Sequence, residues 1–221
     1  MKRIASKNLL SAAMSVAIGM TAGAAHANFD GLYVGGGLAL NKMTVKETLT
    51  SNLGRFDSYF GDNDHHAALN LNAGYGMSFG QFNVAAELSY QTGMGKTLNY
   101  SYSTPLGSES QEYKLKNPWA ISILPGYKVG KDTLVYGRIG YIRAKGEYKL
   151  TVDDDSEIRS HTYKGRLLGI GVKHAVTPRL AGVLEYQAAN FKKKTVYSES
   201  GVDGIIKPSA NGVLLGLMYT F

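Results

Sequence analysis

A chain of 221 residues without cysteine has the length of one domain and offers neither a disulfide framework nor a thiolate metal site. Its 27 glycines and 15 tyrosines count against a helical bundle, where glycine is costly, and suit a curved sheet studded with aromatics. The formal charge of +7 does not mark a nucleic-acid binder, because the basic residues are scattered rather than gathered into a stripe.

The first element is a targeting segment. Lys2, Arg3 and Lys7 make a basic start, residues 9–23 are mostly apolar and small, and the A-x-A site Ala25-His26-Ala27 places small residues where a signal peptidase needs them. The apolar stretch is too short and too rich in Gly, Ala and Ser for a membrane anchor. A signal peptide is expected over residues 1–27, leaving one domain over residues 28–221. Cleavage after Ala27 removes three of the 24 basic residues and none of the 17 acidic ones, so the mature charge is about +4. Beyond it no apolar run is long enough to cross a bilayer as a helix.

The organising signal from there on is alternation. Residues 31–41 are glycine-rich, with Leu32, Val34, Leu38 and Leu40 on one parity. Residues 67–79 set Leu69, Leu71, Tyr75, Met77 and Phe79 against Asn70, Asn72, Gly74, Gly76 and Ser78. After a turn at Gly80-Gln81, Phe82, Val84, Ala86, Leu88 and Tyr90 oppose Asn83, Ala85, Glu87, Ser89 and Gln91. Trp119, Ile121, Ile123, Tyr127 and Val129 alternate with Ala120, Ser122, Leu124, Gly126 and Lys128. Past Gly130-Lys131-Asp132, residues 134–148 place Val135, Gly137, Ile139 and Tyr141 opposite the parity of Arg138. Leu168, Ile170 and Val172 then face away from Gly169, Gly171 and Lys173. After Thr177-Pro178-Arg179, Leu180, Gly182, Leu184 and Tyr186 oppose Ala181, Val183, Glu185 and Gln187. The last segment sets Val213, Leu215, Leu217, Tyr219 and Phe221 against Gly212, Leu214, Gly216, Met218 and Thr220.

An apolar face alternating with a small, polar one is a strand with lipid on one side and a polar interior on the other. Only alternate residues then touch lipid, which reconciles a membrane protein with a mean hydropathy of −0.15. About eight such strands are expected. Short turns near Gly80, Lys131 and Pro178 alternate with long polar connections over residues 42–64, 92–117, 145–162 and 191–207. An unpaired amide in hydrocarbon costs several kcal/mol, so the first and last strands must pair. The expected fold is all-β, an eight-stranded antiparallel up-and-down transmembrane β-barrel. Outward aromatics (Phe79, Phe82, Tyr127, Tyr219, Phe221) gather near the short-turn rim, as an interfacial girdle requires.

The start Phe29-Asp30-Gly31-Leu32-Tyr33-Val34-Gly35-Gly36, the segment Gly169-Ile170-Gly171-Val172-Lys173 through Thr177-Pro178, and Leu184-Glu185-Tyr186 resemble the small outer-membrane barrels typified by the OmpA transmembrane domain, OmpX and the opacity proteins. The C-terminal run with Leu217, Tyr219 and Phe221 looks like the signal read by the outer-membrane assembly machinery. The resemblance covers residues 31–221 and implies the outer membrane of a Gram-negative bacterium. It also implies partners in outer-membrane lipid and lipopolysaccharide, in the assembly machinery, and in host or surface ligands met by the loops. OmpA carries a peptidoglycan-binding domain beyond its barrel; this sequence shows only the barrel, so no wall-tethering role is expected.

On these parities Glu87, Lys128, Arg138, Lys173 and Glu185 point into the barrel, where charges must pair or meet water. They are expected to form a plug of ion pairs, with a narrow gated ion path as the alternative. His65-His66 near Asp62 and Asp64, and Asp153-Asp154-Asp155 with Glu157, follow no metal-site spacing, and no metal or other cofactor is expected. Lys192, Lys193 and Lys194 lie where a strand leaves the membrane and there meet lipopolysaccharide phosphates on one reading, and only solvent on the other.

Lipid A deacylases of similar size place a His and a Ser two apart on a strand, and that spacing is missing here. Ser160 and His161, being neighbours, point to opposite faces. The expected function is non-enzymatic, in envelope integrity, adhesion or host interaction through loops that carry Tyr59, Tyr100, Tyr102 and Tyr197. A narrow porin-like channel is the alternative, and a lipid A-modifying enzyme a weaker one.

Overall fold

A computed structural model describes residues 29–51, 54–61, 65–104, 107–152, 155–199 and 202–221. The expected signal peptide, with Ala25 and Ala27, lies outside the described residues, as do Asp62, Asp64, Asp153 and Asp154. Eleven strand segments are described: β1 (Gly31–Ser51), β2 (Gly54–Gly61), β3 (His66–Phe79), β4 (Phe82–Gln91), β5 (Gly93–Thr104), β6 (Gly107–Val129), β7 (Thr133–Val152), β8 (Asp155–Ala175), β9 (Leu180–Phe191), β10 (Lys194–Glu199) and β11 (Val202–Thr220). Pairing groups them into eight staves, because β2 with β3, β4 with β5, and β9 with β10 each share one position around the ring. Every neighbouring pair is antiparallel, and β1 pairs with β11 from Tyr33↔Thr220 to Thr50↔Asp203. No edge is left along that seam, as hydrocarbon demands.

The alternation sets the orientation of the side chains. Leu71, Phe79, Phe82, Ile123, Ile139, Ile170 and Phe221 are each about 60 % exposed, while the opposite parity of the same strands is buried. That exposed surface is the lipid face of a barrel. At its short-turn rim an aromatic contact ties neighbouring strands, Phe82 with Tyr127, and Tyr219 packs edge-on against Phe221 along one. On the far side of the band Trp119 packs edge-on against Tyr141. The turn at Gly80 needs φ +64° and the one at Gly130 φ +76°, backbone that glycine adopts without a Cβ clash.

The four connections expected as long loops are hairpins instead. The upper half of β1 pairs with β2, β5 with β6, the upper half of β7 with β8, and β10 with β11. A stave needs about 9–11 residues to cross a membrane, and β6 has 23 and β8 has 21. About half of each therefore stands outside. The polarity inverts there: Met43, Val45, Tyr113 and Leu115 are buried inside while Lys42, Thr44, Lys114 and Lys116 face out. In β6 the switch of parity happens at Asn117, at φ +49°, where the register with β7 slips between Lys116 and Trp119. The loop tyrosines Tyr59, Tyr100, Tyr102 and Tyr197 fall in these hairpins, with side chains outside the described ones.

The abundance of Gly and Tyr has a packing reason. Tyr33 stands directly opposite Gly74, and Tyr136 opposite Gly171. A Cβ on Gly74 would lie 2.5 Å from the Tyr33 ring, and one on Gly171 2.6 Å from that of Tyr136. Each glycine makes the space its tyrosine fills.

Candidate functional site

Strands β4, β7, β8 and β9 bring Glu87, Arg138, Lys173 and Glu185 to one level of the lumen, all but closed off from solvent. Arg138 grips Glu185 with two hydrogen bonds, Nε to Oε1 at 2.6 Å and Nη2 to Oε2 at 2.9 Å. Its Nη2 also donates to Glu87 Oε1 at 2.7 Å. The second oxygen of Glu87 accepts from Tyr33 at 2.9 Å, and Glu185 Oε2 accepts from Tyr136 at 2.5 Å. Lys173 makes no ion pair among the described residues; its Nζ sits 4.5 Å from the Tyr33 ring centre and 5.1 Å from that of Tyr136. Two cations and two carboxylates thus share a dry layer, each with partners, as buried charges require.

Above it an amide chain crosses the barrel, Asn41 Nδ2 to Gln91 Oε1 at 3.2 Å and Gln91 Nε2 to Gln187 Oε1 at 3.3 Å. Higher still, in the hairpin half, Met43, Val45, Leu115, Ile142, Leu167, Phe191 and Ile206 pack around the edge-on pair Tyr113–Tyr163. Below the charged layer Phe29, Leu124, Leu134, Val183 and Met218 close the short-turn end, and Asn83 Nδ2 holds the Phe29 carbonyl at 3.4 Å.

Four of the five expected interior charges therefore meet. Lys128 does not join them. It has the inward parity but lies opposite Leu134, just above the turn at residues 130–132, and is half-buried at the rim. The sequence reading missed both tyrosines that hold the carboxylates. Their signal was available, since Tyr33 and Tyr136 lie on the inward parity of their strands.

The remaining candidates are spread apart. Leu217 and Tyr219 on β11, and Phe221 just past its end, are exposed on the outward face. Lys192 and Lys193 are exposed and Lys194 opens β10 half-buried. Ser160 is exposed and faces away from His161, while His174 Nδ1 lies 2.9 Å from Thr133 Oγ1 at the short-turn rim.

The family model described as the outer membrane protein beta-barrel domain matches residues 10–221. The chain belongs to this family. Among curated proteins none matches this outer-membrane barrel significantly. Its fold is similar to that of OprG from Pseudomonas aeruginosa, at 12% identity and TM-score 0.53, covering 90% of this chain and 100% of that one. It is also similar to the outer membrane protease OmpT from Escherichia coli, at 10% identity and TM-score 0.54, covering 87% and 97%. A looser likeness, at 11% identity and TM-score 0.38, is to Ail of Yersinia pestis, covering 80% of this chain and 98% of that one. The barrel sits in the outer membrane of a Gram-negative bacterium. Short turns are periplasmic in such barrels, so the four hairpins stand on the cell surface.

Proposed function

We propose that this outer-membrane barrel acts through its surface hairpins, in adhesion, host contact or envelope integrity, and not through its bore. One observation carries the reading: lumen side chains at successive levels, from Met218 through Glu185 and Arg138 to Met43 and Tyr163, are at most 3 % exposed. A water-filled channel would leave them wet. The extracellular half has its own apolar core, which gives the hairpins a rigid form, as a recognition surface needs.

The same reading holds the barrel to be non-enzymatic. Ser160 and His161 face apart, and the Thr133–His174 contact lies at the periplasmic rim, away from the surface hairpins. Lipid A from expressing cells is expected to show an unchanged mass spectrum.

The test has two arms. Purified barrel in planar bilayers is expected to show no discrete openings. Hairpin truncations, made one at a time in a surface-expressed barrel, are expected to lower adhesion to host-cell monolayers for at least one hairpin. Steady single-channel currents from the intact barrel, with adhesion unchanged throughout, would refute the reading.

A narrow ion path remains the second reading, and one observation favours it. Arg138 Nη1 is a buried donor without a protein acceptor, so the charged layer has an unused direction in which to re-pair. Voltage-dependent openings lost on Arg138→Met would support it.

A further inference from the structure

Just outside the lipid band three cations stand directly opposite one another on consecutive strands. Arg143 of β7 is the cross-strand partner of Lys164 of β8. Lys192, just past the end of β9, donates its backbone N–H to the Lys164 carbonyl at 2.8 Å and so extends the same row. All three side chains are exposed, and Arg166 lies one outward position nearer the membrane on β8. Like charges placed directly across a ladder repel. Among the described residues neither this row nor Arg166 makes an ion pair.

The next outward tier on the same sheet is arranged differently. Lys116 and Lys145, also direct cross-strand partners, are bridged by Glu147, which pairs with both. A counter-ion is supplied there and withheld from the row at the lipid boundary. We infer that Arg143, Lys164 and Lys192 form a binding row for the phosphates of a phosphorylated outer-leaflet lipid.

Position selects the lipid over a soluble polyanion. Directly below the row the outward face continues as Tyr141, Ile139, Leu168 and Ile170, all exposed. Phosphates on the row therefore leave the acyl chains of the same molecule on an apolar wall. Three head groups one strand spacing apart span roughly 10 Å, enough for more than one phosphate, and charge-assisted hydrogen bonds to Arg and Lys are the strong kind. The single basic run Lys192-Lys193-Lys194 thus contributes one member, and the other two come from strands that only the barrel brings alongside. The inference does not depend on what the hairpins bind.

The test uses the folded barrel in zwitterionic micelles, titrated with bisphosphorylated lipid A and followed by native mass spectrometry. Wild type is expected to retain the lipid, and the triple variant Arg143→Gln, Lys164→Gln, Lys192→Gln to bind it at least about tenfold more weakly. The pair Lys116→Gln, Lys145→Gln is expected to change binding less than about twofold, and dephosphorylated lipid A to be poorly retained. Heat-modifiable gel mobility confirms folding of each variant, all of whose changes are on the outer surface. Unchanged binding by the triple variant overturns the row. An equal loss in the control pair shows diffuse charge instead, and overturns it too. Displacement of the lipid by an equal concentration of inositol hexakisphosphate would show a soluble-polyanion site and overturn the choice of ligand.

Discussion

Arg138 is held by two carboxylates that have no other cation within ion-pairing reach among the described residues. Replacing it with Met would leave Glu87 and Glu185 buried and uncompensated, which costs about 3–5 kcal/mol. Lys173 is held differently. It lies over two tyrosine rings with no ion pair, an interaction of about 0.5–2 kcal/mol. Urea unfolding in lipid vesicles should therefore show a much larger loss for Arg138→Met than for Lys173→Met. Adding Glu87→Gln, Glu185→Gln and Lys173→Met to Arg138→Met should recover most of that loss, since a layer emptied of all four charges strands none. Equal losses for the two single variants would mean that the layer is held by total charge rather than by the Arg138 contacts.

At the scale of the strand, β6 passes through two environments and changes its inward parity between them. Trp119, Ile121 and Ile123 meet lipid on its lower half, while Tyr113 and Leu115 meet the interior on its upper half. Leu115→Asp would bury a charge in the external apolar cluster, at several kcal/mol. The expected result is new protease cuts within residues 93–116 and 145–162, with the heat-modifiable mobility of the membrane half retained. Lys149→Asp, on an exposed position of the same hairpin region, should leave the cleavage pattern unchanged.

This element also shows why the barrel was legible in the sequence and its upper half was not. Apolar-out alternation ran clean from Phe82 to Tyr90 and from Val213 to Phe221, so strand direction, turns, closure and four interior charges could all be read. Above the membrane the same period continues with its polarity reversed, and the bulge at Asn117 shifts its phase. Polar residues at Lys42, Thr44 and Lys46 then resemble a loop unless the buried Met43 and Val45 between them are read as the core face. The Arg143–Lys164–Lys192 row was hidden for another reason. It exists only in the cross-strand register, which the residues along one strand do not reveal.

For the whole molecule, the closed layers lie in series along one bore. Current through such a path requires every layer to open, so removing one is not enough. Tyr163→Ala takes away half of the Tyr113–Tyr163 contact in the upper cluster and leaves the Arg138 layer intact below it. Arg138→Ser loosens that layer and leaves the upper cluster in place. Each single variant is expected to remain silent in planar bilayers, while the double variant, with folding confirmed by gel mobility, shows discrete openings. The double variant must overcome a stability loss at both levels, which the long β1–β11 seam and the surrounding lipid help to offset, because an opened edge in hydrocarbon is costlier still. Conduction by Arg138→Ser alone would show that the external cluster leaks, and would return the barrel to the class of gated channels.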